Sequence, residues 1–350
     1  MHALGRKVLI GARHGARDRS APNVCAIVRA LPPPCMSEPR ESVTVFLPTW
    51  NAGPRLEQVL EAIRGQRTQR RVVLRAIDSG STDGTHARLA RQGVEFEVIR
   101  QCDFDHGRTR NRGVLESATE LVVLLSQDAR PADERWLEEI IAPFDDPRVA
   151  GTWARQVPRP RCHPFQRVNL AAHMASAGER RVLEPLSVAE WDALAPADRA
   201  ARLLFDNVAS AVRRSVIAKI PFPASTFGED MAWARAVLLA GHRLVFAGPA
   251  VVEHSHDVTL AEFYGRVVLT HAMRRRLADF EPLPTRKQAL VRIGQTTSAF
   301  WCAARDARDL PAVKRLRSKA LAFPIAALQV AAIRRGARRA RYEPPPRSTG

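Results

Sequence analysis

An α/β architecture, a mostly parallel sheet flanked by helices, is predicted by three features of this sequence. Short, near-continuous apolar runs of strand character recur, stretches of helical apolar spacing lie between them, and each run ends in a loop of Asp, Ser, Thr, Asn and Gly. The first run, Val43 to Leu47, stops at Pro48, and Pro54 opens a helix with apolar positions Leu56, Val59, Leu60 and Ile63. Val72 to Ile77 is then predicted as a strand, Asp83 to Ala90 as the start of a helix, Val94 to Ile99 as a strand and Arg110 to Ala118 as a helix. Leu121 to Leu125 is an all-apolar strand, and Trp136, Leu137, Ile140 and Ile141 mark the next helix.

In such a sheet, ligands bind beyond the carboxyl ends of the strands. The residues there are Thr49 to Gly53 after the first strand, Asp78 to Thr85 after the second, and Ser126, Gln127 and Asp128 after Leu125. Carboxylates and small polar residues converging on one edge suit a polar, phosphate-bearing ligand and can admit a metal. Neither a P-loop nor a G-x-G-x-x-G pattern is present, which disfavours an ordinary NTPase or dinucleotide enzyme.

Composition narrows the class further. With 45% hydrophobic and 26% charged residues, a 350-residue chain can bury a large core, which excludes wholesale disorder and collagen- or mucin-like repeats. The net charge of +18 favours anionic partners, although the excess of Arg over Lys follows as readily from genome composition as from phosphate recognition. Five scattered cysteines (Cys25, Cys35, Cys102, Cys162, Cys302) without a C-x-x-C pair argue against a disulfide framework or a zinc site and fit a reducing cytosol. Nucleic acid is not an expected partner, because no helix-turn-helix, zinc-finger or RNP motif appears.

The ends of the chain differ from its middle. Residues 1–40 are expected to be a disordered arm or a non-native extension upstream of Met36. Near the other end, the apolar run Ala320 to Ile333 is too short to span a bilayer. It lies between Lys314, Arg315, Arg317 and Lys319 on one side and Arg334, Arg335, Arg338, Arg339 and Arg341 on the other. That pattern predicts contact with an anionic membrane surface, the apolar run entering the headgroup region.

Seven segments, VTVFLPTWNAG, IDSGSTDGT, FDHGRTRNRG, SQDARP, ARQVPRP, GEDMAWA and VVEHSHD, occur in the order seen in family 2 glycosyltransferases. The resemblance is closest to the rhamnosyltransferase-like branch and covers roughly residues 42–275. It implies a GT-A (Rossmann-like) fold, with a nucleotide-binding half over 41–150 and an acceptor half over 151–275. A helical, basic, membrane-proximal extension over 276–342 and a disordered tail over 343–350 would follow. The implied activity is inverting transfer of a sugar, rhamnose being the branch's example, from a dTDP- or UDP-sugar to a lipid-linked or polysaccharide acceptor in cell-envelope glycan synthesis. Mg2+ or Mn2+ would assist, and the protein would be cytoplasmic and peripheral at the inner face of the plasma membrane. The competing reading is a basic nucleic-acid- or membrane-binding protein that keeps the fold without catalysis.

The resemblance also implies roles for particular residues. Asp78 would accept a hydrogen bond from a pyrimidine ring N–H, a donor that uracil and thymine have and cytosine lacks, with Thr49 and Asn51 lining the same pocket. Asp83 is expected to serve a turn and helix cap. Arg110 would meet the donor diphosphate beside Asn111, and His106 either orients that loop or packs within it. Asp128 stands last in the family's metal-binding D-x-D, after Gln127, but Ser126 replaces the first carboxylate. Asp128, His254 and the donor phosphates would then complete the metal site, with His256 on the same side of the strand as His254. Asp230, preceded by Glu229 at a helix start, would take the proton of the attacking hydroxyl, unless the two are only dipole-stabilised carboxylates. Arg155, Gln156 and Trp233 are expected on the acceptor side.

Overall fold

The computed structural model describes residues 42–174, 180–255 and 259–339. The expected N-terminal arm, Cys25, Cys35, His256, Arg341 and the C-terminal tail lie outside the described residues.

Nine strands form one sheet: β1 Ser42–Thr49, β2 Arg71–Asp78, β3 Glu95–Val98, β4 Leu121–Leu125, β5 Arg130–Pro131, β6 Val149–Val157, β7 Arg180–Leu183, β8 Ala209–Arg213 and β9 Arg243–Glu253. Their order is β3-β2-β1-β4-β8-β6-β9-β5, and β7 also pairs with β9. Pairs β1/β2, β1/β4, β2/β3 and β6/β9 are parallel, and β8 runs antiparallel to both β4 and β6. Six strands therefore share one direction, and the mostly parallel sheet read from the apolar runs is present.

Period-two alternation explains its two cores. Val43, Val45 and Leu47 of β1 pack with Leu56, Leu60, Trp136 and Ile140 on one face, while Phe46 packs with Val114, Trp153, Trp233 and Phe246 on the other. Helices Arg55–Arg64 and Trp136–Ile141 cover the first face, and His106–Leu115 and Glu229–Leu239 the second. A Cβ added at Gly113 would stand 2.4 Å from the Phe46 ring, so helix His106–Leu115 lies directly against β1. That helix begins four residues before the predicted start because Asp105 caps it, accepting from the Arg108 N–H at 2.8 Å. The third strand is shorter than predicted, four residues at the sheet edge.

The C-terminal region is helical, as expected, but helix Leu260–Ala278 crosses the boundary anticipated at residue 275. It is followed by helices Arg286–Asp306, Ala312–Ala320 and Ala322–Arg339. The apolar run beginning at Ala320 does not lie open to a membrane. Ala322, Ile325, Ala326, Val330 and Ala332 are buried against Phe165, Phe300, Leu283 and Ala289, and a Cβ on Gly336 would meet the Val268 carbonyl at 2.3 Å. Close helix packing thus consumes the surface that sequence reading assigned to lipid. Among the described residues no helix is long and apolar enough to cross a membrane. The pair 312–320 and 322–339 reaches that composition only jointly and is bent by 51°.

Candidate active site

The parallel register of β1 and β2 sets Thr49 opposite Asp78, so the first two predicted loops meet. Asp78 is fully buried there. Its Oδ1 accepts from the backbone N–H groups of Gly80 (3.1 Å) and Ser81 (2.8 Å) and lies 2.7 Å from His86 Nε2. Its Oδ2 accepts from the hydroxyls of Thr49 (2.8 Å) and Ser81 (2.6 Å). Burial alone would raise its pKa, but these donors, Ser81 foremost, together hold it below the usual carboxylate value. The expectation that Asp78 contacts the base is therefore corrected: it has no exposed oxygen and its acceptor capacity is spent on its own loop. Thr49, also buried, faces Asp78 and not an open pocket.

What faces outward at the end of β1 is Trp50, nearly half exposed, and Asn51. Gln127 grips both backbone groups of Trp50, accepting from its N–H at 2.7 Å and donating to its carbonyl at 3.0 Å. Asn51 adopts φ +44°, a left-handed conformation that Asn tolerates. It is held by its N–H to Ser81 Oγ (2.7 Å) and by the Thr82 N–H to its Oδ1 (2.9 Å). Asp83 ties the same loops, accepting from Gly53 and Thr85, while the cap position itself falls to Gly84 with φ +87°.

A second cluster forms where β4, β6 and β9 end and the antiparallel β8 begins. His254, buried at the end of β9, pairs its Nδ1 with Gln156 Oε1 at 2.8 Å and sets its Nε2 3.6 Å from Asp128 Oδ1. Burial pushes its pKa down to about 4, so the imidazole is neutral. An amide oxygen only accepts, which fixes the proton on Nδ1 and turns the Nε2 lone pair toward the Asp128 carboxylate. A lone pair and a carboxylate brought together in this way fit a cation. Among the described residues no group of three ligating side chains surrounds this point, so the protein itself offers a two-ligand site. Gln156 also donates to Asp206 Oδ2 at 2.8 Å, and His173 Nε2 is 3.4 Å from the same oxygen. The loop carrying Asp128 is tied to the segment carrying Asp206 by Ser126 N–H to the Val208 carbonyl at 2.8 Å.

The third cluster lies at the start of helix Glu229–Leu239, where Gly228 (φ +79°) delivers Glu229 and Asp230. Asp230 is partly exposed, and its pKa is pushed up to about 8, first by burial, then by the negative charges of Glu229 and Asp206. Glu229 is buried and takes Arg110 Nη1 at 3.1 Å and Asn207 Nδ2 at 3.2 Å. Arg110 also donates to His106 Nδ1 at 3.1 Å; since Arg can only donate, His106 is a neutral acceptor that orients the guanidinium.

Several expectations are corrected here. Arg110, expected at a diphosphate, is buried and paired with Glu229. Glu229 is the charge partner of Arg110 and also takes Asn207. Asn111 clamps helix His106–Leu115 to the Pro221–Pro223 segment, donating to the Phe222 carbonyl (2.8 Å) and accepting its N–H (2.9 Å). Trp233 is a core residue, fully buried between Phe205 and Phe222, with its indole N–H on the Ile220 carbonyl. Gln156 lies inside the site, whereas Arg155 is its neighbour on β6, directed to the other face by strand alternation. Sequence reading missed Asp206, Asn207 and His173. An Asp-Asn pair just before an apolar strand was the available signal, and it looks like an ordinary turn.

A mostly parallel α/β sheet with polar loops and carboxylates gathered at its carboxyl edge has counterparts among known glycosyltransferases. Residues 44–190 match the profile of glycosyl transferase family 2. The chain is 32% identical over 228 residues to the O-antigen chain rhamnosyltransferase RfbN of Salmonella typhimurium, spanning 64% of this chain and 69% of that protein. It is 31% identical over 229 residues to the O-antigen chain rhamnosyltransferase WbaN of Salmonella anatum, spanning 64% and 70%. The fold also matches the solved mannosyltransferase PcManGT from Pyrobaculum calidifontis in complex with GDP-Man and Mn2+. The TM-score is 0.54 at 20% identity, over 86% of this chain and 87% of that one. The chain belongs to glycosyl transferase family 2 and has the GT-A fold.

Proposed function

We propose that the protein is an inverting glycosyltransferase of cell-envelope glycan synthesis that moves a sugar, rhamnose in the first instance, from a dTDP- or UDP-sugar to a lipid-linked or polysaccharide acceptor. The observation that carries this reading is the arrangement of Asp128 and His254, 3.6 Å apart, with Asp230 at a helix start beside the buried Glu229–Arg110 pair. Asp230 takes the proton of the acceptor hydroxyl as that oxygen attacks the anomeric carbon, and the nucleoside diphosphate departs from the opposite face, which inverts the centre. Arg110, Asn207 and Glu229 hold the base in place. A divalent cation, Mg2+ or Mn2+, held by Asp128 and His254, supplies charge neutralisation for the leaving diphosphate. The exposed Trp50 and Asn51 are the groups placed to meet the nucleoside.

Contact with an anionic membrane falls to helix Ala312–Ala320 and the exposed Phe323 just beyond it, not to the buried side chains of the following run. Val313 (78% exposed), Leu316 (71%) and, beyond the bend, Phe323 (62%) recur at helical spacing beside Lys314 and Arg317. This reading places the protein in the cytoplasm, peripheral at the inner face of the plasma membrane.

Donor binding and single-turnover transfer, measured with dTDP- and UDP-sugars across a Mg2+ and Mn2+ titration, test the proposal. Asp128→Asn should weaken donor binding and be partly restored by high metal. Metal-independent donor binding that is identical in wild type and Asp128→Asn would remove the cation from the mechanism.

A further inference from the structure

Beside His173, which contacts Asp206, lies a cavity of about 520 Å3, bounded by helices Pro164–Met174, Pro196–Ala201 and Leu260–Ala278 and reached by Gln329 from helix Ala322–Arg339. Its polar groups are unusually short of partners. Arg274 Nε, His271 Nδ1, Asn169 Nδ2 and Gln329 Oε1 are all buried without a hydrogen-bond partner in the protein, although Gln329 Nε2 donates to Asn169 Oδ1 at 2.9 Å. Reversing both amides would leave the same count, one donor and one acceptor directed at the same space. Arg274 makes no ion pair among the described residues, and burial lowers its pKa, so its charge is held at a cost that a bound anion would offset. His271 is neutral, pushed down to about 4 by burial and then by Arg274, and can accept a hydroxyl. Phe263 and Phe280 supply apolar walls of the kind on which a sugar face packs.

Position links this cavity to the chemistry. His173 is one of its walls and contacts Asp206, whose charge acts on both Asp230 and His254. Helix Leu260–Ala278 presses on the start of the Asp230 helix, since a Cβ on Gly228 would meet Met273 Cγ at 2.8 Å, and Arg274 is the next residue along.

We propose that this cavity is the acceptor site and that it takes a phosphate-bearing sugar, its anion paired with Arg274 and its free hydroxyl turned toward Asp230. The inference rests on the glycosyltransferase reading for the role of Asp230, but the binding it predicts does not need turnover. The shared chemistry is a sugar phosphate, which can be a free metabolite or the head of a lipid-linked glycan.

Calorimetric titration of the full chain, with its donor site saturated by UDP, compares glucose 1-phosphate, its citronellyl ester and methyl glucoside. Wild type should bind glucose 1-phosphate at least tenfold more tightly than methyl glucoside. Arg274→Gln should abolish that preference, Arg274→Lys should restore most of it, and unchanged UDP affinity in both variants establishes their fold. A tenfold advantage of the ester assigns the site to lipid-linked acceptors, and equal affinity assigns it to free sugar phosphates. No preference for the phosphate in wild type, or a preference that survives in Arg274→Gln, overturns the proposal. Should Arg274-dependent binding persist while wild type fails to turn over any nucleotide sugar, the catalytic reading falls and the anion site stands.

Discussion

Removing Arg110 tests the architecture beneath the proposed base. Arg110 and Glu229 are both more than nine-tenths buried and lie 3.1 Å apart. At an effective dielectric constant of about 20, that separation gives a gross attraction of about 5 kcal/mol. Desolvating two ions costs a comparable amount, so the intact pair contributes little net stability. Arg110→Met does something different: it leaves Glu229 buried with only Asn207 and takes away the positive charge that opposes the upward shift of Asp230. Breaking one side of such a pair costs about 3–5 kcal/mol. The double variant Arg110→Met/Glu229→Gln removes the stranded charge and should recover more than half of that loss. Urea denaturation of wild type, both single variants and the double variant completes the cycle, with the m-value checking that the denatured state is unchanged. If Arg110→Met costs less than about 1 kcal/mol, or the double variant is as unstable as the sum of the two singles, the buried pair is not what holds the Asp230 helix start.

Three further outcomes follow from the site and its surroundings. Asp230→Asn should lower single-turnover transfer by roughly 10²–10⁴ with donor affinity retained, and should remove the rise in rate with pH, levelling off above about 8, that deprotonation of Asp230 gives the wild type. Because the folded-state pKa of Asp230 is raised to about 8, stability is lost progressively as pH rises from the ordinary carboxylate range to about 8, so thermal melts should place Asp230→Asn increasingly above wild type across that range, with the largest gap at pH 8 and above. Asp78→Asn should lower the melting temperature at neutral pH by disordering the Thr49 and Ser81 contacts. Since Asp78 has a depressed pKa, its contribution is lost as pH falls through the folded-state value, and the gap between variant and wild type should close in strong acid; a gap constant with pH would show that ionisation of Asp78 is irrelevant to the loop. Val313→Asp/Leu316→Asp should weaken sedimentation with phosphatidylglycerol vesicles while leaving the melt unchanged, and undiminished binding would remove helix Ala312–Ala320 from the membrane contact.

Local signals sufficed wherever the chemistry is written along the backbone. Apolar runs alternating with helical spacing determined a mostly parallel α/β sheet, because strands buried on both faces must be apolar throughout. Polar loops at the strand ends followed from the same topology, and motif order alone singled out Asp128 and His254, which the fold sets 3.6 Å apart.

Tertiary structure decided which polar side chains face out. Asp78 is enclosed by Thr49, Ser81 and His86, and Trp233 by Phe205 and Phe222. Arg110 and Asn111 turn inward because helix His106–Leu115 is pressed against β1 at Gly113 and against Pro223 at Gly107, where a Cβ would be 2.0 Å from the carbonyl oxygen. That close approach brings Arg110 to a carboxylate 119 positions away. The partners Asp206, Asn207 and His173, the burial of the Ala320 to Ile333 run, and the cavity around Arg274 likewise depend on contacts between segments far apart in sequence. The physical reason is that burial and the charges of neighbours, not residue type, set whether a polar group binds a ligand, orients another residue or only holds the fold.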